Sequence, residues 1–264
     1  MRNVERVCRH AQAKLAQAGR ADASRRALTL VPTRDGRGWY VDPHGNHWRC
    51  YVFVERATGH DVIRNADQAF QAAKAFGAFQ ALLADLPGDR LIETIPNFHH
   101  TPSRYAAFAA ALAKDAHGRA KEAAPEIAFA QARAHEVGTI VEAMARGEIP
   151  ERVTHNDTKL NNVLLDNESQ EGICVIDLDT VMPGSALYDF GDLVRTSTSP
   201  AAEDETDLSK VTMQLPMFAA LVQGYLASAG GFLTPREREL LPFAGKLITF
   251  EIGLRFLTDW LEGD

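Results

Sequence analysis

The chain has 264 residues, 45% of them hydrophobic and 24% charged, which is the composition of an ordinary globular protein able to bury a substantial core. A formal net charge of -7 excludes nucleic-acid binding by broad neutralisation of phosphates and leaves room only for a local basic pocket. Cys8, Cys50 and Cys174 stand at no metal-like spacing, and their odd number does not suggest a secreted disulfide framework, so a reducing cytoplasm is expected.

No apolar signal core follows Met1. Instead Val4, Val7, Ala11, Leu15 and Ala18 recur at helical steps up to a stop at Gly19, so the chain opens almost inside a helix. Extended segments follow at Ala27 to Val31, Trp39 to Val41 and His47 to Val54, separated by the turn chemistry of Asp35-Gly36 and of Asp42 to Asn46. A polar, glycine-containing link is expected at Arg56 to Asp61. It divides the chain into a partial N-terminal lobe, 1–58, and a catalytic and substrate lobe, 59–264.

From Asn65, with Gln68 at the reciprocal capping position, an apolar stripe of Phe70, Ala73, Phe76, Phe79 and Leu83 predicts a helix that ends before Pro87-Gly88. A second long helix is expected from Pro125 to about Arg146, with Gly147 after it. Val163 to Leu165 and Ile173 to Ile176, joined by a polar loop, predict a hairpin. The run Met217 to Leu233, interrupted by Gln223, Gly224, Gly230 and Gly231, is not a membrane span. Thr234-Pro235-Arg236-Glu237 is a capping box opening a helix whose apolar face carries Leu247, Phe250, Leu254, Leu257 and Leu261. On that helix Glu251, Arg255 and Asp259 form an alternating charge stripe, ordinarily a solvated face worth about 0.3–0.5 kcal/mol per pair.

The chemistry concentrates at the ends of the hairpin, in His155-Asn156-Asp157-Thr158-Lys159-Leu160-Asn161-Asn162 and in Ile176-Asp177-Leu178-Asp179. Phosphoryl transfer asks a protein for positioning and charge neutralisation. Asp157 can accept the acceptor's hydroxyl proton, and Asn162 and Asp177 can offer oxygen ligands to the Mg2+ that bridges nucleotide phosphates. Lys159 can offset charge on the transferred group, and His155 holds the loop. An isolated Asp-x-x-x-x-Asn arises often by chance, and the combination of His155, Lys159, the two apolar strands and Asp177 is what carries the reading. Asp179 can approach a metal or substrate or accept turn hydrogen bonds. Asp189 and Asp192, in Tyr188-Asp189-Phe190-Gly191-Asp192, either brace the loop through its backbone or cap a helix.

These motifs resemble the aminoglycoside phosphotransferase superfamily of small-molecule kinases. Many members have glycine where Asn156 stands here. Together with Val175 to Gly184, Leu28 to Thr33, Trp48 to Glu55 and Phe250 to Asp259, the motifs are most similar to its N-acetylhexosamine 1-kinase group. The resemblance implies an α+β, protein-kinase-like two-lobed fold whose large lobe is mainly helical with a catalytic β-hairpin. It also implies ATP and Mg2+ as cofactors and the anomeric hydroxyl of a small sugar substrate, GlcNAc or GalNAc, as acceptor. Asp157 is then the base, Asn162 and Asp177 the metal ligands, and Thr180 and Arg255 the sugar contacts. The backbone of the hinge at Tyr51 to Glu55, with Phe53, Val54 and Glu55, pairs with adenine. No nucleic-acid or membrane partner is implied.

The sequence departs from that pattern in showing no nucleotide-covering loop and no phosphate-pairing lysine ahead of the first helix, where Glu5 would be the lysine's partner or a solvated glutamate. The small lobe is therefore expected to be incomplete at its N-terminal side, and the chain to be a fragment or a shortened gene product. Two alternatives follow: a kinase for another small alcohol, such as an aminoglycoside, choline or a different sugar, and a non-catalytic sugar- or nucleotide-binding module.

Overall fold

A computed structural model describes residues 1–201 and 205–264. The amphipathic helix α1, Arg2–Gln17, buries Val4, Val7, Cys8 and Ala11, and Gly19 turns the chain at φ 69° where a side chain would be strained. The short helix α2, Ala23–Arg26, leads to an extended segment whose Leu30 bridges Tyr51, with Val31 N–H on the Cys50 carbonyl at 2.8 Å. Strands β1, Tyr40–Val41, and β2, His47–Trp48, form a separate exposed ribbon around the Asp42 turn. The segment 56–61, expected as a polar link, instead contains strand β3, Ala57–Gly59.

Helix α3, Ala66–Leu83, starts where Asn65 accepts the Gln68 N–H at 2.9 Å, while the Gln68 side chain reaches past the cap to the N–H of Arg64, also at 2.9 Å. Helix α4, Thr101–Lys114, follows after a long segment. The single helix expected from Pro125 to Arg146 is broken into α5, Ala124–Ala132, a 3-10 turn at Ala134–Glu136, and α6, Thr139–Ala145. Gly138 caps α6, and the Thr139 hydroxyl donates to the Glu136 carbonyl at 2.8 Å across the break.

The functional hairpin is built from β5, Val163–Asp166, and β6, Gly172–Val175. It is preceded by β4, Arg152–Thr154, and followed by β7, Met182–Gly184, which pair with each other. Strand β3 joins the other edge of β5, Ala57 opposite Asp166, so the order is β3-β5-β6, all antiparallel. Three helices complete the fold: α7, Ala186–Ser197, α8, Leu215–Ala229, and α9, Pro235–Glu262. The predicted capping box opens α9, with the Glu237 N–H on Thr234 Oγ1 at 3.1 Å and the Thr234 N–H on Glu237 Oε2 at 2.7 Å.

The main core joins α1, α3, the hairpin, α7, α8 and the first half of α9, and a smaller cluster packs α4 and α5 on the second half of α9. Burial of these apolar faces, more than helix propensity, holds the short helices in place. Gly191 has a packing reason: a Cβ there would lie 2.5 Å from the Ala244 carbonyl oxygen, so α7 and α9 can touch only over a bare backbone. Among the described residues no helix is long and apolar enough to cross a membrane.

The charge stripe on α9 is solvated only in part. Glu251 is 2% exposed, its carboxylate accepting His99 Nδ1 at 2.9 Å and Thr101 Oγ1 at 2.5 Å. Arg255, one turn on, is exposed with its guanidinium 5.1 Å from the Phe256 ring centroid, and among the described residues it forms no ion pair with Glu251 or Asp259.

Candidate active site

The loop between β4 and β5 begins at His155, a fully buried side chain set edge-on to Phe76 and Phe79, with Nε2 2.8 Å from the Ile176 carbonyl oxygen. That contact ties the entry of the loop to the exit of the hairpin. Asn156 follows at φ 67°, the left-handed region, which costs a residue with Cβ about 1–2 kcal/mol and which asparagine tolerates better than most. Its side chain donates to the Thr180 carbonyl at 2.9 Å and accepts from Thr154 Oγ1 at 3.0 Å. The conformation is one that glycine adopts without strain, and the side-chain bonds account for asparagine here.

Two aspartates of α7 hold the loop's backbone. Asp189, 1% exposed, accepts the N–H groups of His155 at 3.0 Å and Asn156 at 2.8 Å, and Asp192 accepts the N–H of Thr158 at 2.8 Å. Of the two roles considered for this pair, bracing is the one realised; the cap of α7 is Ser185, on the Leu187 N–H at 3.2 Å. Burial pushes the Asp189 carboxyl up, against the opposing pull of His155 and of its three N–H donors. The third donor, Gln80 Nε2 at 2.5 Å, extends a buried network to Tyr225, whose hydroxyl donates to the Gln80 oxygen.

Held this way, Asp157 turns out from the core. Its Oδ2 lies 2.9 Å from Asn162 Nδ2 and 3.1 Å from Lys159 Nζ. Asn162 also donates to the Asp157 carbonyl at 2.8 Å, so its amide hydrogens are committed to the loop and its oxygen is left for another partner. The hairpin register then delivers Asp177. Val163 faces Val175, the next rung joins the Ile176 N–H to the Asn162 carbonyl at 2.9 Å, and Asp177 follows in a left-handed turn at φ 56°. The Asp177 carboxylate is exposed, and among the described residues it has no hydrogen-bond or ion-pair partner. Asp157, Lys159, Asn162 and Asp177 thus lie at the open end of the hairpin.

An amide oxygen beside a free carboxylate suits a hard cation. Among the described residues no three His, Cys, Asp or Glu side chains converge on one point.

Other expected residues lie differently. Thr180 directs its hydroxyl inward, donating to the His155 carbonyl at 2.6 Å. Arg255 is exposed on α9, outside these contacts. Phe53 is 82% exposed and Val54 buried, and the Glu55 carbonyl accepts the Arg25 guanidinium at 3.0 Å, which also reaches Asp166 Oδ2 at 2.8 Å. Arg25 therefore ties the segment after Val54 to the hairpin turn. Glu5 takes the Gly38 N–H at 3.1 Å and Arg9 at 2.6 Å, so it is a partnered and half-buried side chain. Asp179 accepts no turn hydrogen bond among the described residues: its carboxylate pairs with Arg49 Nη1 at 2.5 Å, and that hydrogen bond holds its carboxyl below the usual range. The roles of Arg49 and Gln80 escape the sequence reading, because each acts on a partner more than a hundred residues away.

A family model described as the phosphotransferase enzyme family matches residues 5–240 of the chain. Among solved structures, the microcompartment-associated aminopropanol kinase is 18% identical, with 97% of this chain and 79% of that one covered at a TM-score of 0.50. The AMP-bound complex of a spectinomycin phosphotransferase is 13% identical, with 97% and 73% covered at a TM-score of 0.51. At these identities the likeness is one of fold, the protein-kinase-like α+β fold.

Proposed function

The chain belongs to the phosphotransferase enzyme family and is a kinase-like phosphotransferase, and from that premise we propose that it transfers the γ-phosphoryl group of ATP to the anomeric hydroxyl of an N-acetylhexosamine, GlcNAc or GalNAc. The observation that carries the chemical part is the open end of the hairpin, where one oxygen of Asp157 meets both Lys159 and Asn162 and where the chain also turns out Asp177, unpartnered among the described residues. Asp157 accepts the proton of the attacking hydroxyl. Lys159 pairs with the base and stands where negative charge on the transferred group would gather. Asn162 and Asp177 would hold Mg2+, which when bound offsets the charge of the nucleotide phosphates. The backbone from Phe53 to Glu55 pairs with adenine, and the AMP held by the spectinomycin phosphotransferase supports a nucleotide in this fold.

The sugar assignment rests on the motif resemblance, with Thr180 and Arg255 as its contacts. Thr180 would serve through the lone pairs its hydroxyl still has free, and Arg255 is exposed and unpaired with acid among the described residues. On this reading the protein is a cytoplasmic enzyme of small sugars, with residues 1–58 on the nucleotide side and 59–264 carrying catalysis and acceptor.

The test is product analysis. With MgATP and GlcNAc or GalNAc, ADP is released and phosphorus NMR places the new phosphate on the anomeric oxygen, while Asp157→Ala is nearly inactive. Phosphate on another alcohol would replace the sugar 1-kinase assignment with a different small-alcohol kinase, and full activity in Asp157→Ala would remove Asp157 as base. Calorimetric sugar binding without any turnover would favour a binding module.

A further inference from the structure

His99 lies in the segment before α4, with a side chain 6% exposed and a ring flanked by Phe98 at 4.8 Å and Tyr188 at 5.3 Å between centroids. Its Nδ1 is 2.9 Å from Glu251 Oε1 and its Nε2 3.2 Å from the Asn156 carbonyl oxygen. A carbonyl oxygen accepts only, and so does Glu251 as a carboxylate. Against that pair a neutral imidazole, with its single N–H, would set a lone pair on one of them, so with Glu251 ionised the two contacts together fit the imidazolium.

The Asn156 carbonyl belongs to the peptide that leads into Asp157. The other polar groups of Asn156 are already engaged: its N–H by Asp189, its amide nitrogen by the Thr180 carbonyl, its amide oxygen by Thr154. His99 holds the remaining one, and so completes the constraint on a residue whose left-handed φ of 67° the chain would otherwise relax.

We propose that His99, kept protonated by Glu251, is a positioning residue that fixes the Asn156–Asp157 peptide and through it the direction of the Asp157 carboxylate. The proposal rests on the reading of Asp157 as base. Glu251 stands one helical turn before Arg255, so the same pair registers α9, with its proposed acceptor contact, against the catalytic loop.

The charged and titratable groups facing the ring are Glu251 from α9 and Asp192 and Tyr188 from α7. Burial alone would favour neutral His99, but the Glu251 hydrogen bond and charge, with Asp192, raise its pKa above the ordinary histidine value. Tyr188 is pushed up by burial and by Glu251, and stays neutral. A raised value means that the imidazolium contact is complete below the ordinary histidine pKa of about 6.5 and is lost as pH rises through the raised one.

Two measurements on the full chain test this. With 15N-labelled histidine, the His99 signal, assigned by its loss in His99→Gln, should show both nitrogens protonated at a pH where an ordinary histidine, with a pKa of about 6.5, is already mostly neutral. In Glu251→Gln the transition should move to lower pH, and the Asp157 amide resonance should shift with it. In kinetics with GlcNAc and MgATP, His99→Gln and Glu251→Gln should lower kcat roughly tenfold to a hundredfold with little change in either KM. The alkaline limb of kcat should move to lower pH in Glu251→Gln. A pair that only fastened α9 would lower thermal stability and leave the kcat of folded enzyme and its pH profile unchanged. A neutral His99 at that pH, or wild-type kcat in His99→Gln, overturns the proposal. Wild-type enzyme that fails to turn over GlcNAc speaks against the assigned function, and the linked His99 and Asp157 resonances then decide the positioning role alone.

Discussion

Asp189 and Asp177 are the same side chain placed 12 residues apart in sequence and in opposite surroundings. Asp189 sits in the core with three N–H donors on its carboxylate, and Asp177 stands in the open with none among the described residues. Asp192 resembles the first, and Asp157, half exposed and shared by an amide and an ammonium, stands nearer the second. The difference teaches how a rigid loop and a reactive mouth can be made from one residue type. Buried carboxylates organise backbone N–H groups that would otherwise go unsatisfied, and exposed carboxylates keep their lone pairs for a proton or a cation.

The sharpest way to break that comparison is to remove one carboxylate of each kind. Asp157→Ala should lower turnover of GlcNAc with MgATP by about 10²- to 10⁴-fold while leaving the urea midpoint nearly where it was, a stability change of roughly 0.5 kcal/mol or less. Asp189→Ala should do the reverse in kind. It strands the N–H groups of His155 and Asn156 and the amide of Gln80, each at about 1–3 kcal/mol, for a loss on the order of 3–5 kcal/mol in urea unfolding. If Asp189→Ala unfolds at the wild-type midpoint, buried and exposed aspartates do not divide the work as their surroundings suggest.

A smaller effect sharpens the comparison at the residue between the two groups. Asn156→Ala keeps the left-handed φ and loses both side-chain bonds, and should cost about 2–3 kcal/mol. Asn156→Gly loses the same bonds without the steric cost of a Cβ, so it should be more stable than the alanine variant by about 1 kcal/mol. Equal unfolding midpoints for the two would mean that the backbone at Asn156 is not strained.

Much of this site was legible in the sequence because it is local. His155, Asp157, Lys159 and Asn162 lie within one loop, and Asp177 is carried to them by a hairpin whose two apolar strands and polar turn are themselves visible. The capping box of α9 and the face of α1 are local for the same reason. What escaped is what depends on partners far along the chain. Glu251 looked solvated because charges four apart on a helix usually are, and nothing near it in sequence announces His99, 152 residues away. The apolar residues Ile127, Ala130, Ala134, Val137, Val141 and Met144 recur at helical steps straight across the break at Ala134–Glu136, since a single 3-10 turn shifts the helix without interrupting its hydrophobic rhythm. Strand β3 hid in a polar stretch because its ladder is completed by Leu164 to Asp166, more than a hundred residues later.

Asp179 tests the comparison at its weakest point, since it is exposed like Asp177 yet paired like Asp189. Its side chain is 61% exposed, so the Arg49 contact is heavily screened and should be worth about 0.2–1 kcal/mol at most. The Arg49 hydrogen bond lowers its pKa in the folded protein. The contribution is therefore present above the unfolded carboxyl value of about 3.9 and disappears as pH falls through the lowered one. Unfolding of wild type and Asp179→Asn, compared from neutral pH downward, should show a small gap that closes below about pH 4. A gap that stays constant through that range would mean that Arg49 does not favour the ionised carboxylate, and that Asp179 belongs with Asp177 among the free carboxylates of the mouth.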